Sequence, residues 1–486
     1  MYDLTYNLLV DRVAKRKALI FSLIATSPAP VDIDYLEKHS KFSKRTISDY
    51  IMFFNSEQPY GMEISLNGNG CYSLKAKNPS AISLYLNTIT EANPLFNIIE
   101  LIYSSTTETV DSLVEKLYLS DSSVKRYLSH LKNELNKYKL HLQTAPNIEI
   151  TGDECTVRYF FFRYFRYVFD NSVLPIQSHQ TETVYNTISQ LIDNSGFALS
   201  IDYTRAANWL SIFEQRLKNG YTVTLPEHIM NLHRNSDSFS RFRQAFIPNF
   251  KNNPNINSIS EYELMYAFIL RLDTLTYESH STFFYADYAL QLAHFEPIVS
   301  DFLATQFLHP GLFINLKIAL QAFLMNTTFL TDIAPFFQEL DNELHIQVKH
   351  NHQEMLNTWL TLLDQHDMRF EFLNDVAVGL TLITISALQM SSKKDLKVLF
   401  SFSGDPSTIT YYKSIAIKVV PRDAEVIFVF NKQLTNEFLD MLSIDVCIVN
   451  FRIQDTITAC KIVRLSPIPL EVEWLTVLSY LYDGVD

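Results

Sequence analysis

Two short runs of the chain combine long cations with short hydroxyls. One is Lys44, Arg45, Thr46 and Ser48; the other is Ser122, Ser123, Lys125, Arg126, Ser129 and Lys132. Guanidinium and ammonium groups neutralise phosphates or donate to guanine edges, and hydroxyls add short hydrogen bonds. Such a set on the exposed end of a helix suits the major groove of duplex DNA. Many solvated helix faces carry Lys and Arg for solubility alone, so the surroundings must decide. Histidine offers a second chemistry: a phosphoacceptor needs an exposed, nucleophilic ring nitrogen, and phosphorylation adds about two negative charges. Of His179, His228, His233, His280, His294 and His309, we retain His233 and His309 as candidates, against the ordinary reading of surface or hydrogen-bonded rings.

Metal and covalent catalysis find no support. His345, His350, His352 and His366 lack a Cys or a paired carboxylate to complete a ligand set, and His350 and His352 diverge on a helix. The cysteines Cys71, Cys155, Cys447 and Cys460 are far apart with no CxxC or Cys/His spacing, which fits a reducing cytoplasm and no zinc. GxxxxGK[ST], GxGxxG after a strand, HExxH and GxSxG are all missing, so we expect no catalytic residues, no cofactor and no enzyme.

The elements that must position the two cation runs read as helices. In Asp121–Leu135, Val124, Tyr127, Leu128, Leu131 and Leu135 fall on one apolar stripe, and the polar set lies off it. In Lys44–Ser56 the stripe is Ile47, Tyr50, Ile51 and Phe54, with Ser43 as the expected cap. Each is preceded by a short helix, Ile33–His39 behind Asp32 and Thr109–Leu117, and by a longer leading helix, 12–26 and Pro94–Ser104. Each is followed by a β segment: Gly61–Lys75 around Asn67-Gly-Asn-Gly70, and Leu140–Gly152 around Ala145-Pro-Asn147. The two sets stand 77 positions apart at Asp32/Thr109, Leu36/Leu113, Ile47/Val124, Tyr50/Tyr127 and Ile51/Leu128. Short helix, turn, longer helix and β wing, twice over, predicts two winged helix-turn-helix units.

The net charge of −13 is unevenly placed. Residues 1–150 hold 16 basic and 16 acidic residues, leaving 24 and 37 for the rest, so the whole deficit lies behind a neutral front that can approach phosphates. With 486 residues there is room for several domains, and only 10 glycines argue for helix-rich packing. No signal segment opens the chain, and the apolar run Val376–Leu388 is shorter than the ~20 residues a bilayer needs. We expect a cytoplasmic protein with no membrane partner.

The run Ser122-Ser-Val-Lys-Arg-Tyr-Leu-Ser-His-Leu-Lys, followed by Ile148-Glu-Ile-Thr-Gly-Asp-Glu and Arg158, resembles the second helix-turn-helix of the Mga/AtxA-type regulators of Gram-positive bacteria. In layout the resemblance covers nearly the whole chain. It implies a mainly α multidomain protein: winged helix-turn-helix units over 1–78 and 90–153, helical phosphotransferase-system regulation domains over 154–282 and 283–392, and an α/β enzyme IIB-like domain over 393–486. The aromatic run Arg158–Phe169 then reads as a core helix, buried on more than one side, rather than as a base-stacking surface. The stretches Asp202–Leu225 and His309–Phe323 resemble the regulation-domain helix that carries a phosphorylatable His, but Trp209 and Asn315 stand at the matching positions.

After a linker at Ser391–Asp395, strands at Leu396–Phe402, Ala424–Phe430 and Ile444–Asn450, a helix to about Val419 and a closing helix Glu471–Leu481 predict a parallel-type α/β unit. The phosphate-accepting Cys of an active enzyme IIB is replaced in the loop after the first strand by Ser403, Gly404 and Asp405, while Cys447 and Cys460 read as buried. The expected partners are double-stranded DNA, a second copy joined through the C-terminal regions, and a phosphotransferase-system phosphocarrier. The alternatives are an RNA-binding antiterminator, whose front is short and β-rich, and a phosphotransferase component, which lacks its Cys here.

Overall fold

The computed structural model describes the chain apart from residues 1–2, 79, 92, 169–177, 196–200, 251–258, 276–280, 306–309, 390–395, 421–423, 430–433, 454–456 and 483–486. The described residues are mostly helical, with two small antiparallel ribbons near the front and one parallel sheet at the end.

The front contains α1 (Asp3–Leu8), α2 (Arg12–Ala25), α3 (Ile33–Ser40), α4 (Lys44–Glu57), β1 (Glu63–Leu66) and β2 (Tyr72–Lys75). The expected stripe of α4 is its buried face, and it meets Phe21 of α2 and Leu36 of α3 in the core. Asn55 ties the wing to α4 with two 2.8 Å bonds to the backbone of Ile64. Next, α5 (Ala81–Glu91) closes this core, its Tyr85 ring edge-on to Phe54 at 5.3 Å. The second unit follows as α6 (Pro94–Ser104), α7 (Val110–Leu117), α8 (Asp121–Lys137), β3 (His141–Gln143) and β4 (Glu149–Thr151). The opening helix crosses over: α1 packs on α8, and the Asn7 carbonyl meets His130 Nε2 at 2.6 Å. The start of the chain thus lies against the second unit, which a strictly sequential boundary at residue 78 did not anticipate.

From α9 (Glu154–Val168) the chain enters a helical body. Every residue from Cys155 to Phe165 is buried, as aromatics on all sides of the helix require. Two of them are arginines, and both are paired as buried charge demands. Arg158 donates to both oxygens of Glu263, at 2.7 and 2.9 Å, and to Glu154 at 2.9 Å; Arg163 donates to Asp341 at 2.9 Å. The body comprises α10 (Ser178–Ser195), α11 (Tyr203–Lys218), α12 (Glu227–His233), α13 (Asp237–Phe246), α14 (Glu261–Leu270), α15 (Ser281–His294), α16 (Glu296–Ala304), α17 (Pro310–Ile333), α18 (Asn342–Asn351), α19 (Gln353–Gln365) and α20 (Leu373–Gln389). The apolar run noted above is the buried part of α20, packed on α17, α19 and the helix that follows the first sheet strand. Among the described residues no helix is long and apolar enough to cross a membrane.

The last unit is β5 (Leu396–Ser401), α21 (Pro406–Val419), β6 (Ala424–Phe428), α22 (Asn436–Leu442), β7 (Val446–Val449), β8 (Lys461–Arg464) and α23 (Glu471–Tyr482). Its four strands are all parallel, in the order β6-β5-β7-β8. The three expected strands are present, and the expected linker at 391–395 lies outside the described residues. Both α22 and β8 were unanticipated. The first has only seven residues, and β8 is an edge strand with a charged residue at each end, so neither carries a strong apolar period.

Candidate nucleic-acid interface

The two cation-bearing helices are presented in the same way. In each unit a short helix ends in a residue of left-handed conformation, Lys41 at φ 60° and Tyr118 at φ 54°. Two residues later a serine caps the next helix. Ser43 Oγ accepts from Thr46 N at 3.3 Å, and Ser120 Oγ accepts from Ser123 N at 3.2 Å. These pairs also stand 77 apart (118 − 41 and 120 − 43), so the turn geometry repeats along with the apolar template. The upstream caps match in place as well: Asp32 accepts from Tyr35 N at 2.7 Å, and Thr109 accepts from Ser112 N at 3.1 Å. The turn residues were the signal missed in the sequence, because neither is the Gly or Asn that usually marks left-handed backbone. Tyr118 is 94% exposed and stands just ahead of the α8 cap.

With the stripes buried, Lys44 and Arg45 on α4, and Ser122, Lys125, Arg126, Ser129 and Lys132 on α8, are exposed. Thr46, Ser48 and Ser123 are half-buried, and Thr46 and Ser123 share their hydroxyls with the cap serines. The cations are not equivalent. Lys44 is paired with Asp34, and Lys125 with Asp121 at 2.9 Å. Among the described residues Arg45 and Arg126 carry no ion pair; Arg126 lies over the Tyr127 ring at 5.3 Å. The second wing is fixed to its positioning helix through Glu108, whose carbonyl accepts from Ile148 N at 2.6 Å and whose carboxylate holds Lys116 at 2.6 Å. The result is a rigid helix-turn-helix with a cationic, hydroxyl-rich helix face, which is a DNA-docking geometry.

These features define a mostly helical protein that contains a helix-turn-helix domain. Residues 79–165 match the Mga helix-turn-helix domain. Over 244 residues the chain is 20% identical to the capsule synthesis positive regulator AcpB of Bacillus anthracis, covering 49% of each chain. It is 27% identical over 223 residues to the capsule synthesis positive regulator AcpA of the same organism, covering 46% of each. A putative trans-acting regulator of Streptococcus pneumoniae serotype 4 is 22% identical over 138 residues, 28% of each. The chain matches about half of the length of these relatives or less. Over residues 79–165 the chain thus resembles the Mga-type regulators.

The histidine candidates fare differently. His233 is 3% exposed, enclosed by the rings of Phe268, Tyr288 and Phe329. Burial, with the nearby Arg271 adding to it, pushes its pKa down to about 4. This corrects the expectation of a phosphoacceptor, since a donor protein cannot reach the ring. His309 lies outside the described residues. At the positions where the resemblance implies an acceptor, Trp209 is buried and Asn315 is exposed.

The loop after β5 is engaged from within the chain. Ser403 Oγ and Gly404 N both donate to Asp202 Oδ2, at 2.8 and 2.7 Å. Asp405 accepts from Arg166 at 2.7 Å and pairs with Arg205. Burial works to raise the Asp405 pKa, but Arg166 and Arg205 outweigh it and hold it well below the usual carboxylate range. Sequence reading missed this cluster, whose members are scattered over 240 residues of chain (405 − 166 = 239). Cys447 is buried in β7, while Cys460 is half-buried.

Proposed function

We propose that this protein is a DNA-binding transcriptional regulator that docks α8, and with it α4, into successive stretches of duplex major groove. One observation carries the reading: two capped helices, each behind a left-handed turn, present Arg45 and Arg126 as exposed charges with no ion pair among the described residues, beside exposed hydroxyls and lysines. Lys44, Lys125 and Lys132 supplement the phosphate contacts. Ser122 and Ser129, with Thr46, Ser48 and Ser123 nearer the helix caps, supply short hydrogen bonds. Of the two helices α8 makes the stronger contact, because Lys125 and Arg126 occupy the places where α4 has Ser48 and Asp49. The family match on this segment supports the assignment.

In the finer reading, the helical stretches 154–282 and 283–392 act as phosphotransferase-type regulation domains, and 393–486 as an enzyme IIB-like unit without its phosphate-accepting Cys. Two copies join through their C-terminal regions, which doubles the DNA contacts. The relatives named as positive regulators favour activation over repression. A phosphocarrier would act at His309, since His233 is enclosed.

Fluorescence anisotropy with labelled duplex DNA tests the assignment. The full chain binds with steep salt dependence, and the Arg45→Ala/Arg126→Ala double variant loses most of that affinity. Full binding by a folded double variant would remove these helices from the interface.

A further inference from the structure

The helical body holds an apolar cavity of about 100 Å³ between α10, α11, α13 and α14. Its walls include Trp209, Phe213, Phe242, Phe246, Leu210 and Leu270. The polar groups on the lining are the threonines at 183, 187 and 274, together with Arg271. Arg271 donates to the Tyr288 hydroxyl at 2.7 Å and lies over the Phe268 ring at 3.9 Å. Mostly apolar side chains thus line a partly open space that they do not fill. Apolar cavities take small apolar molecules, and a closed one of about 150 Å³ takes benzene.

The cavity wall is also wired to the contact between the helical body and the C-terminal unit. Trp209 stacks on Phe162 at 3.9 Å and donates its indole N–H to Asp273 at 2.7 Å. Arg205 binds the same carboxylate at 2.6 and 2.7 Å and reaches on to Asp405 in the loop before α21. Two other wall residues, Ile201 and Thr274, are the chain neighbours of Asp202 and Asp273. Asp202 N donates to the Thr274 carbonyl at 2.9 Å, while the Asp202 carboxylate holds Ser403 and Gly404. A molecule that moves Trp209 or parts Ile201 from Thr274 therefore pulls on the groups that seat the loop.

We propose that this cavity is an effector site for a small, uncharged apolar molecule, of the size of a benzene ring or a short branched carbon chain, and that its occupancy is coupled to the seating of loop 403–405 on the helical body. The site stands independently of the DNA-binding reading, because neither its geometry nor its test involves α4 or α8.

Saturation-transfer NMR on the full chain, with benzene as probe and benzoate as the charged control, tests the site. Benzene receives saturation and benzoate does not. Ala206→Leu and Ala267→Leu, which fill the cavity from different helices, each weaken benzene binding at least tenfold while circular dichroism stays unchanged. Should one variant fail to fold, the other decides. Hydrogen exchange of the peptide containing Gly404 changes at least threefold on adding benzene to the parent chain and stays constant in the filled variants. No transfer to benzene, or undiminished transfer in a folded filled variant, overturns the site. Equal binding of benzoate overturns the ligand class, and unchanged exchange at Gly404 overturns the coupling.

Discussion

Removing Arg45 and Arg126 together gives the interface its sharpest quantitative test. Both side chains are exposed and, among the described residues, neither must break an ion pair to reach a phosphate. Each phosphate neutralised releases about 0.9 of a counterion, so the plot of log K against log salt loses roughly 0.9 of slope per arginine removed, or about 1.8 for the pair. Between 1 M and 0.1 M salt, a slope of 0.9 amounts to about 1.2 kcal/mol, so the double variant binds about 2.5 kcal/mol more weakly at 0.1 M, roughly a 60-fold loss. The lysines start from a different place. Lys44 and Lys125 are already held by Asp34 and Asp121 in exposed pairs, which offsets part of what they gain from DNA. Anisotropy titrations at four or five salt concentrations give both affinity and slope. If an arginine reads a guanine edge as well, a discrimination of about 1–3 kcal/mol at one base position disappears with it. An unchanged slope in a folded variant would refute the reasoning, because it would mean that no phosphate contact had been lost.

Three further outcomes follow from the helical body. His233 has a pKa of about 4 against an ordinary 6.5, so below pH 6.5 the unfolded chain takes up a proton that the folded chain refuses. Stability at this site is therefore full above pH 6.5 and falls as the pH drops towards 4. The loss is about 2 kcal/mol between pH 7.5 and 5, read as the opening free energy of α12 amides by hydrogen exchange; His233→Phe removes that component, and an identical slope in the variant would exclude His233 as its source. At Gly379 an added Cβ would lie 2.4 Å from Cζ of Phe323, so Gly379→Ala lowers the thermal midpoint through overpacking of about 1–3 kcal/mol; Phe323→Leu in the same chain recovers it unless the contact is unimportant. Glu263→Gln leaves Arg158 with its main counter-charge gone and costs about 3–5 kcal/mol in a denaturant titration, whereas the paired change Arg158→Met/Glu263→Leu comes closer to the parent.

The two front units were legible in the sequence because each step of their construction is local. An apolar stripe recurs every three or four residues, Asp32, Ser43 and Thr109 mark helix starts, and Asn-Gly marks the first wing. The 77-residue offset then lets one copy check the other. The left-handed turns at Lys41 and Tyr118 escaped because the backbone there is set by the packing of the flanking helices, not by a residue type that prefers it. Of the C-terminal unit β5, β6 and β7 were legible as apolar runs, and the short strand β8 was not, since a charged residue stands at each of its ends. The buried charge clusters could not be read at all. Arg158, Arg205, Glu263 and Asp273 look on paper like the solvated charges of any amphipathic helix, and only the folded chain brings Arg205 to Asp273 and Arg158 to Glu263, 68 and 105 residues away.

Trp209 shows why this distinction bears on function. The resemblance implies a histidine at its position, and a phosphorylatable histidine has to face solvent and a donor protein. Trp209 does the opposite, stacking on Phe162 and turning its single donor inward to Asp273. The ring also lies 5.6 Å from that of Phe337, and it lines the cavity between α10, α11, α13 and α14. Asp273 in turn is shared with Arg205, whose other partner is Asp405 at the foot of the C-terminal unit. A negative charge placed at this position by phosphorylation would compete with Asp273 and Asp405 for the same arginine. A neutral molecule in the cavity would instead act through the position of the indole, leaving every charge of the cluster paired.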